Sequence, residues 1–134
     1  MNRRAFLAAS AAAALSPNLS FATEQYTPGM VDAMLAEGHT VFVGFNTDWC
    51  TTCAAQLRVM DALKADNPAY EEHIKFVNVD WDDYANEDLS TRLNIPRRST
   101  LVVLKGDEEL GRIVAGTSQS DIKDLMDIAL NAAM

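Results

Sequence analysis

The sequence predicts an α/β protein in which a central, mixed, four-stranded sheet is flanked by helices on both faces. From residue 28 onward, stretches with apolar residues at helical spacing alternate with short apolar runs typical of buried strands. The runs at 40–45 and 74–79 are separated by a helical stretch, which predicts two parallel neighbouring strands. The runs at 100–104 and 110–114 are joined by a loop short enough for an antiparallel hairpin. The predicted sheet therefore contains both parallel and antiparallel pairs of strands.

The first half of this region contains two predicted helices around one strand. The apolar residues of 28–37 fall at helical spacing, and Gly38 follows them as a residue suited to ending a helix. The run at 40–45 is continuous, as expected for a strand buried on both faces. From Cys50 to about Lys64, apolar residues recur every three positions and predict a helix with one apolar stripe, formed by Leu57, Met60 and Leu63.

The second half contains two more helices and three strands. A loop at Asn67-Pro68 precedes the strand at 74–79, an acidic turn follows at 80–83, and a short helix is predicted at 87–93. After the hairpin, Ser118 or Ser120 caps a last helix. Its apolar residues repeat at helical spacing: Ile122, Leu125, Met126, Ala129 and Leu130.

The first 22 residues are predicted to be a cleavable signal peptide, so the domain spans 23–134. Two arginines precede an apolar run at 5–15, and a small-x-small cleavage site ends at Ala22. The run is about half the roughly 20 residues that span a bilayer, so no permanent anchor is expected. Residues 2–7 resemble the twin-arginine export motif, with Asn2 where Ser or Thr is usual. A cytosolic amphipathic helix is the less favoured alternative.

The charge of the chain argues against nucleic acid as a partner. The 134 residues carry 11 basic and 19 acidic side chains, a formal charge of −8. Removing the predicted signal peptide takes away Arg3 and Arg4 and no acid, which changes the charge to −10. No basic stripe remains to bind phosphates, and the acidic surface is typical of a protein kept soluble by its charge.

Both cysteines of the chain lie in the stretch TDWCTTCAAQ, where a predicted strand ends and a predicted helix begins. A helix N-terminus presents unpaired amides and roughly half a positive charge. A thiolate at Cys50 is therefore stabilised, which lowers the thiol pKa and raises reactivity at neutral pH. Cys53 lies one turn further in and is more sheltered. This asymmetry predicts an attacking thiol followed by a resolving thiol.

Two other uses of the cysteine pair are less favoured. A structural zinc ion needs four ligands, and only His39 and His73 could supplement the cysteines, without metal-like spacing. No metal is therefore expected. A purely structural disulfide would close a very short loop, for which the entropic stabilisation is smallest. The pattern favours a redox-active dithiol.

The chain resembles the thioredoxin family over most of residues 28–134. The resemblance is carried by Trp49-Cys50-Thr51-Thr52-Cys53 after an apolar strand, by Val77-Asn78-Val79-Asp80, and by Thr100-Leu101-Val102-Val103-Leu104-Lys105 before the hairpin. The form Asp48-Trp49-Cys50-x-x-Cys53 is particularly similar to the C-terminal periplasmic domain of the DsbD family of membrane reductant transporters. The resemblance implies a thioredoxin fold and thiol–disulfide oxidoreductase activity. Cys50 would be the nucleophile and Cys53 the resolving thiol, and their disulfide would be the redox group, without a separate cofactor.

The resemblance also implies a substrate groove beside the dithiol. Trp49 would flank this groove, although partial burial is the alternative for a tryptophan. Residues Arg98, Ser99 and Thr100 belong to the loop that offers a backbone edge to bound peptide in the family. Arg97 and Arg98 interrupt an otherwise acidic sequence here. Cations at this place would lower the Cys50 pKa and attract an acidic partner, whereas the alternative is two solvated arginines.

Three supporting positions depart from the family pattern. The family carries a buried Asp six residues before the first cysteine and a Lys in the next strand, where this chain has Gly44 and Phe76. A buried acid–base pair is therefore expected to be absent. The family also has a cis-proline before the third strand. Either Ser99 replaces it, with a trans peptide, or a longer loop lets Pro96 serve; we favour Ser99 because a cis peptide before a non-proline residue costs about 2.5–4 kcal/mol.

These features predict an exported, periplasmic thiol–disulfide oxidoreductase of bacterial type, acting on disulfides of protein partners. The DsbD-like motif favours a reductase, supplied with electrons by a membrane donor of DsbD or CcdA type. Apocytochromes or sulfur-metabolism proteins are the substrates that this resemblance suggests. The alternative is a non-catalytic thioredoxin-like binding module that keeps a stable Cys50–Cys53 disulfide.

Overall fold

The computed structural model describes residues 22–134. All but the last residue of the predicted signal peptide therefore lies outside the described residues. The elements follow in the order β1 (Glu24–Gln25), α1 (Met30–Ala36), β2 (Thr40–Asn46), α2 (Thr51–Asp66), α3 (Ala69–His73), β3 (Ile74–Asp80), α4 (Trp81–Tyr84), α5 (Asp88–Arg92), β4 (Thr100–Lys105), β5 (Glu108–Val114) and α6 (Gln119–Ala133). Within this described part, no helix is both long and apolar enough to cross a membrane.

The sheet is mixed, as predicted, but it has five strands in the order β1-β3-β2-β4-β5. The strands β2 and β3 on either side of α2 are parallel, and β4 pairs antiparallel with both β2 and β5. The prediction of four strands was wrong because β1 is a two-residue polar strand that pairs with β3 at the sheet edge. So short a segment has no apolar periodicity, and it becomes a strand only by pairing.

Each face of the sheet has its own apolar core. In β2, Val41, Val43 and Phe45 pack beneath α1, α4 and α5, whereas Phe42 packs beneath α2, α3 and α6. Every residue of β2 is buried, which explains why its sequence is a continuous apolar run. The helices thus cover both faces, as predicted, and the central strand that leads into the cysteine helix is held from both sides.

Two local predictions differ from the structure, and one short helix was not predicted. The acidic segment expected as a turn forms the short helix α4. The loop expected at Asn67-Pro68 is present, and the five-residue helix α3, which was not predicted, follows it directly. Leu57 is 40% exposed and not part of the buried stripe of α2, which consists of Cys53, Gln56, Met60 and Leu63. The polar Gln56 occupies the inward position because its amide has buried carbonyl partners, and this rotates Leu57 toward the surface.

Candidate active site

The two cysteines lie at the N-terminus of α2 and are joined by a disulfide. Cys50 is the N-cap residue in an extended conformation, and its Sγ accepts a hydrogen bond from the Cys53 backbone N–H at 3.1 Å. The helix begins here because this sulfur satisfies one of the amides that the first turn leaves unpaired. Cys50 is 4% exposed and Cys53 1% exposed. Cys53 is therefore less exposed than Cys50, as predicted from the sequence, but the difference is small in the disulfide form.

Ser99 lies directly against the disulfide, immediately before β4. Its Oγ is 3.2 Å from the Cys50 Sγ and 3.1 Å from the Cys53 Sγ, and the residue is completely buried. Residues 22–134 contain no cis peptide bond, and Pro96 is exposed three residues earlier. Of the two alternatives for the position facing the cysteines, the structure thus has Ser99 with a trans peptide.

The backbone of Ser99 has a positive φ of 65°, a conformation that is unfavourable for residues with a Cβ. Its N–H donates to the Phe45 carbonyl at 2.6 Å, and its own carbonyl accepts from the Ala115 N–H at 2.8 Å. These bonds attach the residue to the ends of β2 and β5. They hold the backbone in a conformation that aims the side chain at the sulfurs.

Gln56 is a site residue that the sequence analysis did not identify. From the buried face of α2, its Nε2 donates to the Ser99 carbonyl at 3.0 Å and to the Gly116 carbonyl at 2.9 Å. The amide therefore ties the cysteine helix to the loops before β4 and after β5. A signal was present: Gln56 follows Cys53 by three positions, so both lie on the same face of the helix.

A small cavity of about 40 Å³ lies behind Cys53, and Gly44 and Phe76 line it. Neither residue can carry a proton, so the two positions provide no acid–base pair here. Charge near the cavity comes from Asp61 and Lys64 of α2. The Lys64 ammonium lies 4.0 Å from the centre of the Phe76 ring, and it donates to the Thr23 hydroxyl at 3.1 Å.

Trp49 and Arg98 form the exposed margin of the site. The Trp49 side chain is on the surface, with the residue 60% exposed, so the alternative of partial burial does not apply. Its ring stacks under the Arg98 guanidinium at 4.4 Å, and its Nε1 donates to the Asp82 carboxylate at 2.9 Å. The Arg97 Nε donates to the Arg98 carbonyl. Both arginines are only partly exposed: the Arg97 side chain bonds within the loop and that of Arg98 stacks on Trp49, unlike two freely solvated side chains.

Thr100 does not reach this margin. It is the first residue of β4, is completely buried, and its hydroxyl donates to the Arg97 carbonyl at 2.7 Å. The structure therefore brings Trp49, Arg98 and Ser99 to the dithiol but directs the Thr100 side chain into the loop that carries the arginines. In residues 22–134, no cluster of three or more His, Cys, Asp or Glu side chains could hold a metal ion.

Comparisons with known proteins agree with this architecture. A sequence model of the thioredoxin family, described as "Thioredoxin", matches residues 22–128. The crystal structure of Trxlp from Edwardsiella tarda is similar at 26% identity and a TM-score of 0.68, over 78% of this chain and 98% of that one.

Two further structures share the fold at lower identity. The reduced thioredoxin pre-protein of Schistosoma mansoni is 23% identical with a TM-score of 0.62, over 78% of this chain and 95% of that one. The thioredoxin of Malassezia sympodialis is 18% identical with a TM-score of 0.68, over 81% of this chain and 93% of that one. Because the family match extends over the sheet, the helices around it and the cysteine pair, this chain belongs to the thioredoxin family.

Proposed function

We propose that this chain is an exported thiol–disulfide oxidoreductase that reduces disulfides of protein partners. The observation that carries the proposal is the Cys50–Cys53 pair at the N-terminus of α2 in a thioredoxin-family fold. In the reduced protein, the N-terminal amides stabilise a thiolate at Cys50, and this thiolate is the nucleophile. The hydrogen bond from the Cys53 N–H is already directed at that sulfur.

The reaction proceeds through two exchanges of disulfide bonds. The Cys50 thiolate attacks one sulfur of the partner disulfide, forming a mixed disulfide and releasing the other partner sulfur as a thiolate. The Cys53 thiol gives up its proton to solvent, and the resulting thiolate attacks the Cys50 Sγ of the mixed disulfide, which forms the Cys50–Cys53 bond and releases the second partner sulfur as a thiolate. The partner gains two electrons from the dithiol, its two thiolates take protons from solvent, and this chain becomes oxidised.

Export to the periplasm and the source of electrons are further parts of the proposal. Residues 1–22 support export, because they have the pattern of a twin-arginine signal peptide. An oxidising compartment requires a membrane-supplied reductant, and the Asp48-Trp49-Cys50-x-x-Cys53 motif favours a donor of DsbD or CcdA type. Apocytochromes or sulfur-metabolism proteins are the proposed substrates.

The proposed binding surface surrounds the dithiol. The exposed Trp49 ring and the Arg98 guanidinium stacked on it provide an apolar and a positive contact beside Cys50. An acidic segment of a partner would fit this pair better than a basic one. Ser99 and Thr100 would support this surface from beneath, since both of their side chains are buried and the Ser99 N–H and carbonyl are hydrogen-bonded within the fold.

Burial of the disulfide favours a second candidate, a non-catalytic binding module. With Cys50 4% exposed, a partner thiol has little direct access to the sulfur in this form. The module would bind through the Arg97–Thr100 loop and keep the disulfide intact.

A pair of single-cysteine variants separates the two candidates. Cys53→Ser retains the proposed nucleophile and lacks the resolving thiol, so we expect partners joined covalently through Cys50 and released by dithiothreitol. The matched control, Cys50→Ser, should trap none. Failure of Cys53→Ser to trap a partner in the exporting host, in reducing and oxidising media alike, would contradict the catalytic proposal. The reduction potential then gives the direction: about −270 mV indicates a reductase, and about −120 mV an oxidant.

A further inference from the structure

The Ser99 hydroxyl reaches both cysteine sulfurs from a completely buried position, at 3.2 Å from Cys50 and 3.1 Å from Cys53. We propose that Ser99 is a catalytic residue whose hydroxyl donates a hydrogen bond to the Cys50 thiolate of the reduced protein, with Gln56 as the residue that positions it. The proposal deepens the proposed function, because it concerns the same dithiol. It adds no covalent step.

The backbone conformation of Ser99 places its hydroxyl against the two sulfurs. Ser99 has a φ of 65°, a left-handed conformation that is unfavourable for a residue with a Cβ. Three hydrogen bonds hold that conformation: its N–H donates to Phe45, and its carbonyl accepts from the Ala115 N–H and from the Gln56 amide. The residue with the strained backbone is thus also the one that faces the reactive sulfurs. Strained backbone residues often occur at functional sites.

The chemistry of the hydroxyl suits a dithiol more than a disulfide. Disulfide sulfurs are weak acceptors, whereas a thiolate accepts a charge-assisted hydrogen bond that is about twice as strong as a neutral one. A serine hydroxyl has one proton to donate and lone pairs that accept. In the reduced state, Ser99 can donate to the Cys50 thiolate while its oxygen accepts from the Cys53 thiol. The hydroxyl therefore favours the ionised form of Cys50 and lowers its pKa.

The two positions behind Cys53 cannot take the role proposed for Ser99. Gly44 and Phe76, behind Cys53, carry no group that could donate to a sulfur or exchange a proton. The Ser99 hydroxyl and the Cys53 N–H are the donors that the structure aims at Cys50 within the described residues. The residue in place of the family's cis-proline thus supplies a polar group that a proline could not.

The test measures the pKa of Cys50 in the reduced protein, from the pH dependence of alkylation located by mass spectrometry. Two variants remove the hydroxyl: Ser99→Ala keeps the Cβ, and Ser99→Gly also relieves the positive φ. In both, we expect the Cys50 pKa to rise by about one unit, a roughly tenfold lower thiolate fraction below the pKa. At a pH above the Cys50 pKa of both proteins, where Cys50 is ionised, the tenfold loss of stabilisation of the reduced form also lowers the reduction potential by about 30 mV.

Ser90→Ala is the matched control. Ser90 is also buried, and its hydroxyl donates to the Tyr84 carbonyl at 2.8 Å, away from the cysteines. This variant should lose stability without moving the Cys50 pKa. An unchanged pKa in both Ser99 variants would overturn the proposal. A shift in only one of them, or an equal shift in Ser90→Ala, would overturn it too, because backbone change or general loosening would then be the cause.

The role of Ser99 and the proposed oxidoreductase function can be refuted independently of each other. The alkylation measurement needs no partner protein, whereas trapping by Cys53→Ser needs a partner and leaves Ser99 intact. Raised pKa values without trapped partners would support the role of Ser99 and contradict the oxidoreductase function. Trapped partners together with unchanged pKa values would support the oxidoreductase function and contradict the role of Ser99.

Discussion

Replacing Gln56 by methionine tests the link between the cysteine helix and the loop that carries Ser99. Gln56 is 2% exposed, and its amide donates to the carbonyls of Ser99 and Gly116. Methionine has a similar length and is suited to a buried helical position, but it cannot donate a hydrogen bond. The change therefore removes both bonds while leaving the volume of the side chain nearly unchanged.

The expected loss of stability follows from these two bonds. Each neutral hydrogen bond contributes about 0.5–1.5 kcal/mol net, so the pair contributes about 1–3 kcal/mol. For a domain of this size, at roughly 4 °C per kcal/mol, Tm falls by about 4–12 °C. The Ser99 carbonyl keeps its bond from the Ala115 N–H, so the loop should not detach completely. The Cys50 pKa should accordingly rise less in Gln56→Met than in Ser99→Ala.

Urea unfolding of the oxidised protein is the appropriate assay, because it keeps the disulfide constant in the variant and the wild type. Gln119→Met is the control: Gln119 is exposed at the start of α6, and its replacement should change the free energy of unfolding by less than about 0.5 kcal/mol. If Gln56→Met were as stable as this control, the amide would not anchor the loop, and the positioning role assigned to Gln56 would be refuted.

Two further predictions concern the backbone before β4 and the pH dependence of stability. Ser99→Pro should lower the free energy of unfolding by about 3 kcal/mol or more, since proline cannot adopt a φ of 65° or donate to the Phe45 carbonyl; a variant with wild-type stability in urea would contradict this. The hydrogen bond from Arg112 holds the Glu109 pKa below its ordinary value of 4.5. The folded state therefore gains stability, up to about 1 kcal/mol, above the ordinary pKa and loses it as the pH falls through the depressed one. Glu109→Gln should remove this part of the acid dependence in unfolding titrations, and an unaltered acid limb would show that the pair contributes nothing.

The fold was largely predictable because its central elements have strong local patterns. β2 is buried along its whole length and reads as one apolar run, and α6 repeats apolar residues at helical spacing. β1, α3 and α4 were missed because two to five residues carry too little periodicity to predict. Leu57 was placed on the wrong side of α2, since apolar spacing cannot reveal that a polar side chain has buried partners.

Local residue patterns are sufficient to predict the α/β class, the position of the cysteine pair at a helix start, and the lack of an acid and a base at Gly44 and Phe76. These follow from residue identity and from periodicities that act over a few turns or strands. The surroundings of the dithiol, in contrast, depend on how the elements pack. Ser99 and Gln56 come together with Cys50 only when β2, α2 and β4 pack, because a left-handed backbone residue and a buried amide depend on hydrogen bonds between segments distant in sequence.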